Sequence, residues 1–252
     1  MSLLFNEVIY RPIYNFLIFV YNFIPFQDFG VAIIIVTVIL KFLLVPLSRK
    51  QIESQKKMQE MQPKIKALQE KYKNDKEKQT RALMEFYKEN KVNPFSGCLP
   101  IILQLVFLIA IYQVLFNISS SNLLVDPKEL YSFISNPGQI NQYFLGIIDL
   151  SNKINFSQLN LKVVPQVILI ILAAVAQYFQ IKMISPKVVT DKKDNAPDVA
   201  QMMTKQMMYL GPLLTLFIGI KFPAGLALYW LISTVFAIIQ QVKILEKEKS
   251  NT

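Results

Sequence analysis

The chain has 252 residues, 53% of them hydrophobic, yet it carries 27 Lys and Arg against 17 Asp and Glu. Apolar blocks combined with excess positive charge describe a polytopic membrane protein, whose charges collect in loops outside the bilayer. A nucleic-acid binder would share the pI of about 9.5 but needs no such blocks. There is no His and a single Cys, Cys98, which excludes an intrachain disulfide, a Cys/His zinc site and a His-based triad. No catalytic residue, metal or cofactor is expected, and the protein is not expected to be an enzyme.

The N-terminus does not read as a signal peptide: Glu7 accompanies Arg11, and no small-x-small cleavage site follows. The apolar stretch Ile13–Ile24 lies between Pro12 and Pro25. Twelve helical residues reach about 18 Å, short of a roughly 30 Å hydrocarbon core. Residues 1–28 are therefore expected to form an amphipathic helix in the membrane interface, with an uncleaved anchor as the alternative.

A first span is expected over residues 29–47. Within it, Gly30–Pro46 reads GVAIIIVTVILKFLLVP, and Lys41 and Thr37 are its only polar side chains. A charge at the centre of such a helix costs about 2.5–3.5 kcal/mol on insertion scales, so it normally has a use. Residues 48–96 follow as a helical hairpin. Met58, Met61, Ile65, Leu68 and Tyr72 make one apolar seam at 3-4-3-4 spacing. Pro63 is expected to break or restart that helix. Asn74-Asp75 supplies a turn, and residues 76–90 form a second helix contacting through Leu83, Phe86 and Tyr87. The basic face, with Lys64, Lys66, Lys71 and Lys73, reads either as a docking surface or as a solvated face near anionic lipid.

Further spans are expected at 97–117, 164–184, 206–221 and 224–242. Residues 48–93 hold thirteen Lys or Arg, whereas 118–163 hold only Lys128, Lys153 and Lys162. The positive-inside rule then puts the hairpin in the cytoplasm and loop 118–163 outside. Five spans give an outside N-terminus, with loop 185–205 and the tail 243–252 inside. The outside loop is rich in turn formers, with a short helix expected around Pro127–Ile134 and the rest irregular. The fourth span is short, about 22 Å over Met207–Lys221, and Phe222-Pro223-Ala224-Gly225 turns the chain back. Such a hairpin thins the bilayer locally or recruits snorkelling side chains.

Besides Lys41 and Thr37, the spans hold Gln104, Gln113, Gln177, Gln180, Thr215, Ser233 and Thr234, and no carboxylate. That absence counts against an ion-coupled transporter. Lys41 precedes the expected end of its span by six residues, about 9 Å. Gln177 and Gln180 lie near the same end of the third span, and Trp230 begins the middle of the fifth. Lys41, Gln177 or Gln180, and Ser233 or Thr234 are thus candidates to share a wet cavity open to the cytoplasm. Simple snorkelling of Lys41 is the alternative. For each Gln alone, an interhelical hydrogen bond is the simpler role.

Several segments carry a family resemblance: ILKFLLVPLSRKQ (Ile39–Gln51), MQPKIKALQEKYKNDKEK (Met61–Lys78), FYKENKVNPFSGCLPIILQLVFLIAIYQ (Phe86–Gln113), QIKMISP (Gln180–Pro186) and FPAGLALYWLISTVFAIIQQ (Phe222–Gln241). In this order they resemble the YidC/Oxa family of membrane-protein insertases, over about residues 10–245. The resemblance implies an all-α protein with five transmembrane helices around a cytoplasm-open hydrophilic groove. It also implies N-out/C-in topology in the bacterial plasma membrane, and insertion and folding of new membrane proteins without nucleotide hydrolysis. The family's groove cation is usually Arg, and its position matches Lys41. Arg is a fixed fork and Lys a point charge, so this substitution changes how a carboxylate would be held. Gln177 or Gln180 and Trp230 carry over as groove-lining positions. The chain resembles a minimal core version, without the large outside domain of some members. Implied partners are nascent membrane proteins, the lipid bilayer, a ribosome or targeting factor, and the Sec translocon; no specific nucleic-acid sequence is implied. The competing function is a channel or uncoupled transporter with Lys41 lining a pore, which would also need polar residues in the outside halves of the spans.

Overall fold

The computed structural model describes residues 3–90, 92, 99–154, 161–184 and 199–249. Among them the protein is a helical bundle with one two-stranded ribbon. The elements are α1 (Leu3–Phe5), α2 (Arg11–Phe23), α3 (Phe29–Leu43), α4 (Val45–Lys71), α5 (Lys76–Glu89), α6 (Leu99–Ser120), β1 (Tyr143–Phe144), β2 (Ile148–Asp149), α7 (Val164–Ile184), α8 (Val199–Lys221) and α9 (Ala224–Lys249). The start of the expected second span, and residues 185–198 of the loop before the fourth, lie outside the described residues.

The N-terminal segment is longer than its prolines suggest. A π-turn over Asn6–Tyr10 joins α1 to α2, with the Arg11 N–H bonded to the Asn6 carbonyl. Pro12 falls in the first turn of α2, where its missing N–H is tolerated. The wider π-turn gives its ring room. The result is a 21-residue run, Leu3–Phe23, long and apolar enough to cross a membrane. The twelve-residue length argument therefore fails.

The chain then turns through Phe26 and Gln27, both at positive φ. Asp28 caps α3 by accepting from the Val31 N–H at 3.0 Å. At its other end α3 stops at Leu43 instead of Leu47, and α4 leaves it at 65°. The cause is Pro46 at the start of α4: it removes an N–H and would crowd the carbonyl four residues back. Pro63, by contrast, sits inside α4 without ending it, because one absent hydrogen bond does not outweigh the strong helix formers on both sides. Asp75 caps α5 through the Lys78 N–H at 3.0 Å, and Gln79 Nε2 donates to the Gln69 carbonyl at 2.6 Å, pinning the hairpin.

Helix α7 has the bounds expected of the third apolar segment. Helix α8 begins at Val199, seven residues before the expected fourth span, and α9 continues to Lys249 through most of the expected tail. Among the described residues, three helices are long and apolar enough to cross a membrane, four if the bent α3–α4 pair is one span. The apolar helices Gln104–Ser120 and Met208–Lys221 are shorter. The protein is thus an all-α membrane protein.

Helix α9 is the hub and packs on α3, α6, α7 and α8. Gly219 lets α8 approach α7: a Cβ there would lie 2.7 Å from Ile170 Cγ2. The core joins Leu17, Ile18 and Tyr21 of α2 to Ile33 and Val36 of α3, Ile111 and Val114 of α6, and Leu226 and Leu228 of α9. Residues 121–154 cover one end of the bundle, here the loop end; the α3–α4 bend marks the elbow end. The segment expected as a short helix around Pro127–Ile134 consists of turns. The Asn15 side chain takes the Tyr131 N–H at 2.7 Å and gives to the Glu129 carbonyl at 2.8 Å, so α2 draws off groups that a helix would have used. The antiparallel ribbon β1–β2 also replaces an expected irregular stretch.

A polar cluster at the elbow end

Lys41 occupies the last turn of α3, three residues before the bend at Leu44. Measured to the end of its own helix it is shallower than the sequence suggested, about 4.5 Å instead of 9 Å. Its half-buried ammonium donates to Gln104 Oε1 of α6 at 2.9 Å. An ammonium has no acceptor, so this contact fixes which end of the Gln104 amide is oxygen. The same oxygen accepts from Ser233 Oγ of α9 at 3.1 Å, while Gln104 Nε2 donates to the buried Tyr229 hydroxyl at 3.2 Å. Three helices thus converge on one amide. Among the described residues no carboxylate forms an ion pair with Lys41. A cation satisfied by a neutral amide keeps its charge available to an incoming anion, where a resident Asp or Glu would neutralise it.

The other anticipated residues lie elsewhere. Gln177 accepts from Thr215 Oγ1, which ties α7 to α8 rather than to Lys41. Gly211 makes room for it: a Cβ there would meet Gln177 Nε2 at 3.3 Å. Gln180 is half-buried one turn further on and makes no hydrogen bond to the cluster. Trp230 is buried in the apolar core beside Tyr229. Of the expected set, Lys41 and Ser233 meet directly. Gln104 and Tyr229 were missed as their partners; the signal for Gln104 was that α6 has only one other Gln, Gln113.

Beyond the elbow the polar track continues. Ser48 Oγ donates to Gln240 Oε1 at 3.1 Å, and Gln240 Nε2 donates to Ser48 Oγ at 2.7 Å and to the Val45 carbonyl at 3.4 Å. Tyr229, Ser233 and Gln240 stand at i, i+4 and i+11, one stripe along α9. Phe42 meets Phe236 edge-on at 5.0 Å beside that stripe.

On the hairpin, Lys64, Lys71 and Lys73 are exposed and Lys66 is half-buried. Their field is diluted by pairs such as Lys73–Glu70 at 3.2 Å and Arg49–Glu53 at 2.8 Å. The Asp75 carboxyl is held below its ordinary value of 3.8, chiefly by the Lys78 backbone N–H.

The bundle, its single embedded cation and the basic hairpin define a class. The family described as 60Kd inner membrane protein matches residues 19–251, and the chain belongs to that family. Among its relatives, the membrane protein insertase YidC of Fusobacterium nucleatum subsp. nucleatum is 34% identical over 241 residues, covering 95% of this chain and 98% of the relative. The protein of the same name from Streptomyces avermitilis is 31% identical over 224 residues, covering 86% of this chain and 51% of the relative. That from Geobacter metallireducens is 33% identical over 232 residues, covering 92% and 35%. The chain thus spans nearly all of the first relative, but about half and a third of the other two.

Proposed function

We infer that the protein is a membrane protein insertase, acting without nucleotide hydrolysis in a bacterial membrane. Its clients are new membrane proteins, whose polar segments it receives in a hydrophilic groove around Lys41. The observation that carries this reading is the Lys41–Gln104–Ser233–Tyr229 cluster: one cation without a carboxylate, on three otherwise apolar helices. Partial hydration there lowers the cost of bringing a polar tail into the bilayer. Lys41 attracts acidic residues in the tail, and the client's own apolar segment drives lateral release into lipid. Gln177, Gln180 and Trp230 complete the groove as neighbouring walls.

The same reading puts the elbow end in the cytoplasm and the loop end outside, supported by the charge of the hairpin against that of residues 118–163. It also lays the Leu3–Phe23 run in the membrane interface, despite its length. The support is polar: Tyr14 and Tyr21 hydroxyls accept the Asp126 and Asn141 N–H groups at 2.9 and 2.8 Å, and Asn22 donates to the Ser135 carbonyl at 2.7 Å. Hydrocarbon does not tolerate so much loop backbone along a helix. On the hairpin, Lys64, Lys66, Lys71 and Lys73 form the docking face for a ribosome or targeting factor, and the Sec translocon is a further partner. The channel reading is disfavoured because the loop end is packed with apolar side chains, among them Leu115, Ile118 and Leu150.

The test is insertion into proteoliposomes of purified protein. Lys41→Ala is expected to reduce insertion of clients with acidic translocated tails about tenfold, the loss of one charged hydrogen bond. Lys41→Arg is expected to retain it. Equal activity of Lys41→Ala on those clients removes the electrostatic role.

A further inference from the structure

Two side chains at the elbow end are buried and incompletely bonded. Gln51 of α4 is 5% exposed and Gln241 of α9 is 4% exposed, yet Gln51 Nε2 and Gln241 Oε1 have no hydrogen-bond partner. Buried amides are nearly always paired, and an orphan normally signals a group that arrives later or a trapped water. Their position is informative. Gln51 follows Ser48 by one helical turn, and Gln241 adjoins Gln240, so both flank the Ser48–Gln240 contact between α4 and α9. One offers a donor and the other an acceptor. Neither carries charge, unlike Lys41 at the preceding turn.

We propose that Gln51 and Gln241 form a binding site for the unpaired peptide backbone of an entering client chain. A peptide group presents one acceptor and one donor, matching the two orphans. An extended polar tail brings such groups unsatisfied wherever it leaves water. Recognition through the backbone is independent of client sequence, as a site serving varied clients requires. The site rests on the insertase reading and adds a second, charge-blind contact to the one made by Lys41.

The test is the pair Gln51→Met and Gln241→Met, which keeps side-chain length and removes the amides. Insertion by the full-length double variant is expected to fall about tenfold, through two lost hydrogen bonds, and equally for clients with acidic and uncharged tails. Its Tm in detergent is expected to hold or rise, since no internal bond is broken. Unchanged insertion means the amides hold water only, and overturns the proposal. A loss confined to acidic tails overturns backbone recognition. A fall in Tm shows that the amides are paired within the fold, and overturns it likewise. Wild-type protein in the same vesicles separates the two readings: if it does not insert, the insertase assignment fails and the site falls with it.

Discussion

The two ends of the bundle are built on opposite principles. At the loop end, polar groups are matched. Ala224 and Gly225, the first donors of α9, give their N–H groups to the Asn152 and Leu150 carbonyls at 3.2 and 3.0 Å. Asp28 caps α3 and also accepts the Leu145 N–H at 2.7 Å, and Gln166 donates to the Asp149 carbonyl at 2.8 Å. At the elbow end, a cation rests on an amide and two buried amide atoms have no partner. Satisfied polar groups rigidify a structure, whereas unsatisfied ones mark where something else binds. The loop end therefore supplies stability and the elbow end supplies receptivity.

That division yields separable outcomes. Loop-end variants should lower Tm, while elbow-end variants should lower insertion at constant Tm. The largest stability effect is expected from Asn15→Ala, which strands the Tyr131 N–H and Glu129 carbonyl under the loop and should cost about 2–4 kcal/mol. Next is Gly30→Ala, whose Cβ would lie 2.3 Å from Phe144 Cδ2; overpacking of this kind costs about 1–3 kcal/mol. Both are read by thermal unfolding in detergent. Lys41→Ala should leave Tm nearly unchanged while insertion of acidic-tailed clients falls. A large drop in Tm for that variant would erase the contrast.

The smallest effect belongs to the hairpin. Because the folded-state carboxyl of Asp75 titrates below its ordinary 3.8, its capping contribution is present above that pH. It is lost as pH falls through the lower folded value. Helicity of α5, followed by circular dichroism of the full chain against Asp75→Asn, should decline below pH 3.8 in the parent and remain flat in the variant.

What the sequence made legible follows from the range of each signal. Apolar length located α7, and the 3-4 seam located α4, because both are local. The elbow was written in Leu44-Val45-Pro46 but hidden by the apolar run, which continues across it to Leu47. The early start of α8 escaped notice because its QMMTKQMM segment is less apolar than a span, though a good helix former. Lys41 stood out by its cost alone. Its partner Gln104 did not, since 63 residues separate them and no periodicity reports which helix faces which. The loop's turn formers announced irregular backbone, yet not that its N–H and C=O groups would be spent on α2, α3 and α9.

The bend at Leu44 has a mechanical meaning. Helix α4 is rigidly helical over 27 residues, a rod about 40 Å long, pivoted one turn from Lys41. A tilt of about 10° at that pivot sweeps the far tip through roughly 7 Å. The same tilt shifts atoms near the pivot by less than a bond length. The hairpin is thus geared down onto the cation: a partner pulling on its tip works with high leverage on the contact between Lys41 and Gln104.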